Sequence, residues 1–338
     1  MIFAKLLTAA LVAAAPQPAP FDSTPQWAPD GTAVAFLRLR NVQRRNLTSE
    51  IYVVRRDGTR LRRVTRGARD FFVSWSPDGD SLAFARSSRL GRAKPHVYVV
   101  RRDGSRLHQL VPAASWSSLP AWSPDGRALA FAGDVGGVGE GVFVADPAGE
   151  QVRLLFQVPA RISTATVVAV HDLTDLSWSP DGSRLLFELQ DWLYVLRLGD
   201  SVATRLPARG YTPKWSPDGR SIAFIQICRL AVIAADGSDT PTDRFQCAQP
   251  ASQMSPPSWS PDSTRIATGD CELGGCRIVV AHAGRGVQTV RPISFGFAPA
   301  WSPDGELIAF VRPIARSGTA VYVMRPNGSQ ARPLSSRR

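Results

Sequence analysis

Three residue types in this chain could carry chemistry: four histidines, four cysteines and a series of regularly spaced aspartates. His96, His108, His171 and His282 are scattered through separate stretches without metal-ligand spacing, so each reads as a surface residue. Asp30, Asp78, Asp125, Asp181, Asp218, Asp262 and Asp304 each follow a proline, and six of the seven precede a glycine. A carboxylate repeated in this way suits a tight turn, where it bonds its own backbone, better than paired acid–base work. The nearest approach to a Gly-x-Ser-x-Gly nucleophile elbow, Gly79-Asp80-Ser81-Leu82-Ala83, belongs to one of these turns. No phosphate-binding loop, dinucleotide fingerprint or His-Glu-x-x-His motif is present. The sequence therefore assigns no catalytic, cofactor-binding or metal-ligating residue. A site assembled from side chains on several repeats would escape a motif search, so a hydrolase or lyase acting in a central channel stays open.

The elements that hold these aspartates are repeats. Trp-Ser-Pro-Asp-Gly, followed by an apolar run ending in Phe, recurs with its tryptophan at 27, 75, 122, 178, 215, 259 and 301. Seven of the nine tryptophans are thus one position of one unit, spaced about 46 residues apart. A short strand ends at the Trp, and Pro-Asp-Gly turns the chain. An apolar second strand follows, such as Ser221-Ile222-Ala223-Phe224-Ile225. A third strand resembles Ile51-Tyr52-Val53-Val54 or Val97-Tyr98-Val99-Val100. An Asp-Gly or Asn-Gly turn at 57, 103, 236 or 327 then leads into a polar fourth strand. The inner strands are nearly all apolar because neighbouring units cover both their faces. This pattern predicts an all-β, seven-bladed β-propeller of about 28 antiparallel strands, four per blade.

The quoted units resemble the TolB-type propeller repeat, a relative of WD-repeat propellers that is also found in prolyl-oligopeptidase-like enzymes. The resemblance covers residues 24–336 and speaks to fold far more than to function. Two departures stand out. TolB itself has an α/β domain before a six-bladed propeller, whereas this chain is expected to lack that domain and to carry seven units. Unit six is degenerate, with Ser263 in place of the turn glycine and Thr268 in place of the Phe. The chain begins with a first strand and ends with a fourth, so a blade shared between the two termini is not evident and the closure of the ring is left open.

Residues 1–15 are expected to be a signal peptide: Lys5 gives a basic start, Leu6–Ala15 an apolar run of ten, and small residues precede Pro16. A run of ten is too short to cross a bilayer. Residues 16–23 read as a linker and 24–338 as the propeller. Cys228 and Cys271–Cys276 fall at turns between second and third strands, and Cys247 falls just after a fourth strand. Facing positions there approach closely enough for bridges 228–247 and 271–276 in an oxidising compartment. Export to the periplasm or the cell exterior is therefore expected.

The formal net charge is +12, built almost wholly from arginine, a skew that more often marks a GC-rich genome than a nucleic-acid binder. The leading expectation is an exported, monomeric, non-enzymatic scaffold for a protein or peptide, acting through its channel mouth and long-loop face, with no cofactor. A cell-envelope polyanion binder is the alternative that the arginines suggest. The long segments Leu37–Glu50, Ser87–His96, Gly133–Gly141, Val158–Asp175 and Arg312–Ala320 belong to one face. On them Arg38, Arg40, Arg44, Arg45, Arg86, Arg89, Arg92, Lys94, Arg312 and Arg316 are expected to form a basic arc over three adjacent blades, facing an acidic partner.

Overall fold

The computed structural model describes residues 21–40, 47–67, 69–87, 94–159, 173–247, 253–272, 275–284, 286–287, 290–314 and 318–335. Among them there is no helix; the described strands group into seven antiparallel four-strand meanders, in sequence order. Blade one runs Phe21–Trp27, Ala33–Arg40, Thr48–Arg55 and Arg62–Arg63. Blade seven closes the series with Phe297–Trp301, Ile308–Ile314, Gly318–Met324 and Arg332–Pro333. Parallel bridges Phe21–Thr319 and Ser49–Arg69 knit blades seven, one and two into one 12-stranded sheet.

Burial follows the repeat. Phe36, Phe84, Phe131, Phe187, Phe224 and Phe310 are fully buried in the second strands. Each of Phe36, Phe84, Phe187 and Phe310 pairs across the ladder with the tyrosine of its third strand, with ring centroids 5.7–6.0 Å apart. In blade six the equivalent Thr268 is just as buried, and its hydroxyl donates to the Ser255 carbonyl at 2.7 Å.

In six of the seven blades the first strand carries a kink three residues before the tryptophan. Thr24, Phe72, Leu119, Asp175, Thr212 and Ala298 all have φ between 48° and 55° there. The ladder register slips at each such kink. Blade six has Pro256 at this position, whose ring forbids positive φ. Its first strand is split instead, into Gln253–Met254 and Ser258–Trp259. That split makes the strand count 29 where 28 were expected. The first strand of blade one also begins at Phe21, so residues 21–23 belong to the sheet and not to a linker.

Candidate binding faces and channel

The Pro-Asp-Gly turns show what the repeated aspartates do. In six of the turns the serine after the tryptophan donates its hydroxyl to the aspartate, and in all seven the backbone N–H two residues on donates to the same carboxylate. These donors hold Asp181 and Asp262 at a pKa of about 2; Asp304, helped also by Arg56, lies at about 2 against the opposing effect of burial. The turns also touch in sequence around the ring. A Cβ on Gly79 would lie 4.0 Å from Pro29, one on Gly126 3.7 Å from Pro77, and one on Gly31 3.8 Å from Pro303. The last contact joins blade one to blade seven. Within this annulus lies a cavity of about 460 Å³ whose lining includes Trp27, Trp259, Trp301, Pro217, Pro261 and Pro303.

First strands of adjacent blades contact one another, which makes them the innermost elements. The indole N–H of Trp75 donates to the Gln26 carbonyl of blade one at 3.2 Å. Trp178 reaches Ala121 and Trp259 reaches Lys214 in the same way. Trp27 donates to Ala300 of blade seven at 3.0 Å, so the ring closes with the same bond that Trp75, Trp178 and Trp259 make to the preceding blade.

On the loop side that closure repeats a second joint. Between blades one and two, Arg86 binds Asp70 at 2.7 Å, Thr65 donates its hydroxyl to Asp70, and Ile51 N–H donates to Thr65 Oγ1. Between blades seven and one, Arg38 binds Asp22 at 2.6 Å, Ser335 donates to Asp22, and Val321 N–H donates to Ser335 Oγ. Burial pushes the Asp22 and Asp70 carboxyls up, and the guanidinium bonds oppose it. The latch that the sequence left open therefore repeats, between Asp22 and Ser335, the joint made between blades one and two. Its signal was an aspartate five residues before the tryptophan, at 22 and again at 70.

This finding corrects part of the basic arc. Arg38 is 5% exposed and Arg86 is half-buried, each bound to a buried carboxylate, so neither presents a free charge. Arg40 is about half exposed; it donates to the Tyr52 hydroxyl and lies 3.5 Å from Glu50. The Arg312 guanidinium stacks over Tyr322. Lys94 is exposed. Arg44, Arg45, Arg89, Arg92 and Arg316 lie outside the described residues, as does the signal segment.

The structure adds an acidic group that motif reading missed. Glu188, at the end of the second strand of blade four, is buried; Thr174 Oγ1 donates to one carboxylate oxygen and Asp191 N–H to the other at 2.9 Å. Burial, with Asp175 and Asp191 adding to it, pushes Glu188 up to about 7. Burial likewise raises Asp175, against Lys214 and the Thr212 N–H that donates to it at 3.2 Å. Burial raises Tyr211 too, with Asp191 adding to it.

Cys228 is bonded to Cys247 and Cys271 to Cys276, with Cα–Cα distances of 5.6 and 3.9 Å. Burial holds His96 below the usual imidazole range. His108 packs its ring nitrogens on the Arg106 and Pro147 carbonyls. His282 is exposed, and His171 lies outside the described residues.

The repeated inner-strand kinks, the annulus of turns and the seven meanders define a β-propeller. Residues 11–160 match a TolB beta propeller domain model, and the fold of the chain is a β-propeller. Among curated proteins it is 31% identical over 123 residues to the uncharacterized peptidase YuxL of Bacillus subtilis (strain 168), a match covering 31% of this chain and 18% of YuxL. The chain thus spans under a fifth of that relative. Of solved structures, the β-propeller domain of the trilobed protease from Pyrococcus furiosus, whose description gives an open velcro topology, superposes with a TM-score of 0.63. That likeness is at 13% identity and covers 94% of this chain and 98% of that one. TolB from Acinetobacter baumannii gives a TM-score of 0.52 at 17% identity, over 80% of this chain and 66% of that one. At such identities the likeness is one of fold.

Proposed function

We propose that the chain is an exported propeller that binds a protein or peptide partner through its channel mouth and loop-bearing face, without itself catalysing a reaction. The observation that carries this reading is the inner-strand kink. One kinked backbone position, repeated around the channel in six blades, holds threonine, phenylalanine, leucine, aspartate, threonine and alanine in turn. A fixed ring bearing different side chains suits recognition, and Phe72 is 49% exposed on it. The turn aspartates are held by local donors, so they are not free for acid–base work. The apolar N-terminal run after Lys5 and the two disulfides support export. The arginines at 44, 45, 89 and 92 supply the docking edge for an acidic partner. Reversing all four to glutamate is expected to weaken partner binding and flatten its salt dependence while thermal stability stays within about 0.5 kcal/mol of wild type. Calorimetric titration with the partner checks this; unaltered affinity would assign these arginines to solubility alone.

A second reading, a hydrolase or lyase with its site in the channel, draws on Glu188, whose pKa of about 7 suits a general acid or base. Peptidase-associated propellers among the structural neighbours also favour it.

A further inference from the structure

The strongest unassigned feature is a band of arginines on the turn side, at the outer rim of blades seven, one and two. In blade one the third-to-fourth-strand turn and the strand after it read Arg55-Arg56-Asp57-Gly58-Thr59-Arg60-Leu61-Arg62. Blade two repeats the pattern as Arg101-Arg102-Asp103-Gly104-Ser105-Arg106, and blade seven carries Arg325 and Arg332 around Asn327-Gly328. Arg55, Arg60, Arg62, Arg101, Arg106 and Arg332 are all exposed. Among the described residues none of the six lies within 4.0 Å of a carboxylate.

Three facts make the band one surface. The Arg332 guanidinium donates to the Arg56 carbonyl at 2.8 Å, and Arg62 donates to the Asp103 carbonyl at 3.2 Å, so consecutive blades are stitched through these very turns. Arg60, Arg106 and the equivalent Gln330 share φ of 53°, 55° and 56°, which sets each side chain in the same attitude on its blade. The second arginine of each pair points the other way: Arg56 binds Asp304 and Glu306, and Arg102 lies 3.7 Å from Asp30. The inner arginine of each pair thus binds carboxylates around the channel, while at the rim the arginines that form no ion pair outnumber the turn aspartates Asp57 and Asp103. At the positions of Arg55 and Arg60, blade three has Asp146 and Gln151 and blade five has Ala234 and Asp239, so the basic band stops there.

We propose that this rim binds a linear, phosphate-bearing polymer that runs along blades seven, one and two. A flat anionic membrane laid on the turn side would also meet the inner ring of ionised aspartates, whereas a chain following the rim avoids it. Phosphate fits better than carboxylate because the guanidiniums come in groups, as at Arg60 and Arg62. A tetrahedral phosphate offers oxygens to several forks at once, while a planar carboxylate is filled by one. This surface lies at the opposite ends of the strands from Arg40 and Lys94, and it stands or falls apart from the proposed function.

The test uses the full chain with long-chain inorganic polyphosphate as probe, titrated at a series of salt concentrations. One variant replaces Arg55, Arg60, Arg101 and Arg106 with glutamine, the residue that blade seven already has at 330 in the left-handed position. A control replaces Arg127, Arg153, Arg197 and Arg220 with glutamine, an equal loss of charge from exposed sites on blades three to five. The rim variant is expected to bind at least about tenfold more weakly near 100 mM salt, with its log–log salt slope reduced by about 3. The control is expected to change by less than about twofold. Equal losses in the two variants would overturn the proposal, reducing it to net charge. Tighter binding of wild type to anionic phospholipid vesicles than to polyphosphate, at equal phosphate, would overturn it in favour of a membrane. Should the fourfold variant fail to fold, the pair Arg60→Gln and Arg106→Gln is expected to show about half the slope change, and an unchanged slope there would refute the rim.

Discussion

Replacing Asp22 with alanine is expected to cost about 3–5 kcal/mol, because it leaves the Arg38 guanidinium buried without its partner. It also removes the acceptor of Ser335, whose hydroxyl otherwise orders the last strand through the Val321 N–H. The comparison that makes the experiment decisive is Asp70→Ala, which breaks the same chemistry between blades one and two. There the hydroxyl partner, Thr65, is only five residues away along the chain, so connectivity keeps the two blades adjacent without the carboxylate. Ser335 is 313 residues from Asp22, and only the folded ring brings them together. Chemical denaturation should therefore show a loss in both variants. Hydrogen exchange should accelerate at the Leu334 and Ser335 amides, which bond the Val321 carbonyl, only in Asp22→Ala. Stability within about 1 kcal/mol of wild type, with unchanged protection there, would show that the indole bonds and the turn annulus suffice to close the ring.

Glu188 gives the second large effect, and its sign is opposite to that of an ordinary surface carboxylate. With its pKa raised to about 7, the folded chain keeps a proton that the unfolded chain gives up near the ordinary value of 4.5. The stability linked to this group is fully present below about pH 4.5 and is lost as pH rises to about 7. Glu188→Gln removes that loss. The variant is expected to match wild type near pH 4 and to exceed it by up to about 3 kcal/mol near pH 8. Urea midpoints at several pH values check this. Parallel curves for the two proteins would mean that Glu188 is ionised in the fold across the range.

Much of this fold was legible because one physical signal repeats. A tryptophan, a Pro-Asp-Gly turn and an apolar strand recurring about every 46 residues leave few architectures that bury every inner strand. Unit six is degenerate at Ser263 and Thr268, yet the residue that alters its backbone is Pro256, at a position that no turn motif announces. The site was less legible, since it depends on register. In sequence Arg38 and Arg86 read as free charge, but each faces an aspartate directly across the ladder, at Asp22 and Asp70. Residues of one sign gathered in sequence say nothing of whether a neighbouring strand neutralises them. Asp22 itself reads as linker, because a short polar stretch after a proline-rich run carries no strand signal. Glu188 and Asp175 come from opposite strands of one hairpin and meet Tyr211 of the next blade, a grouping that no spacing rule retrieves.

The central claim is that the loop-bearing face and channel mouth bind a protein or peptide and do no chemistry. Its most direct measurement is a cross-linked pull-down from cell-envelope extract with the mature, disulfide-bonded protein, run beside a turnover screen on peptide and acidic-polysaccharide substrates. The account predicts a stoichiometric polypeptide partner that is retained by wild type and lost when Arg44, Arg45, Arg89 and Arg92 are reversed to glutamate, with no substrate consumed. Turnover abolished by Glu188→Gln, with no polypeptide retained, would contradict it and make the channel an active site.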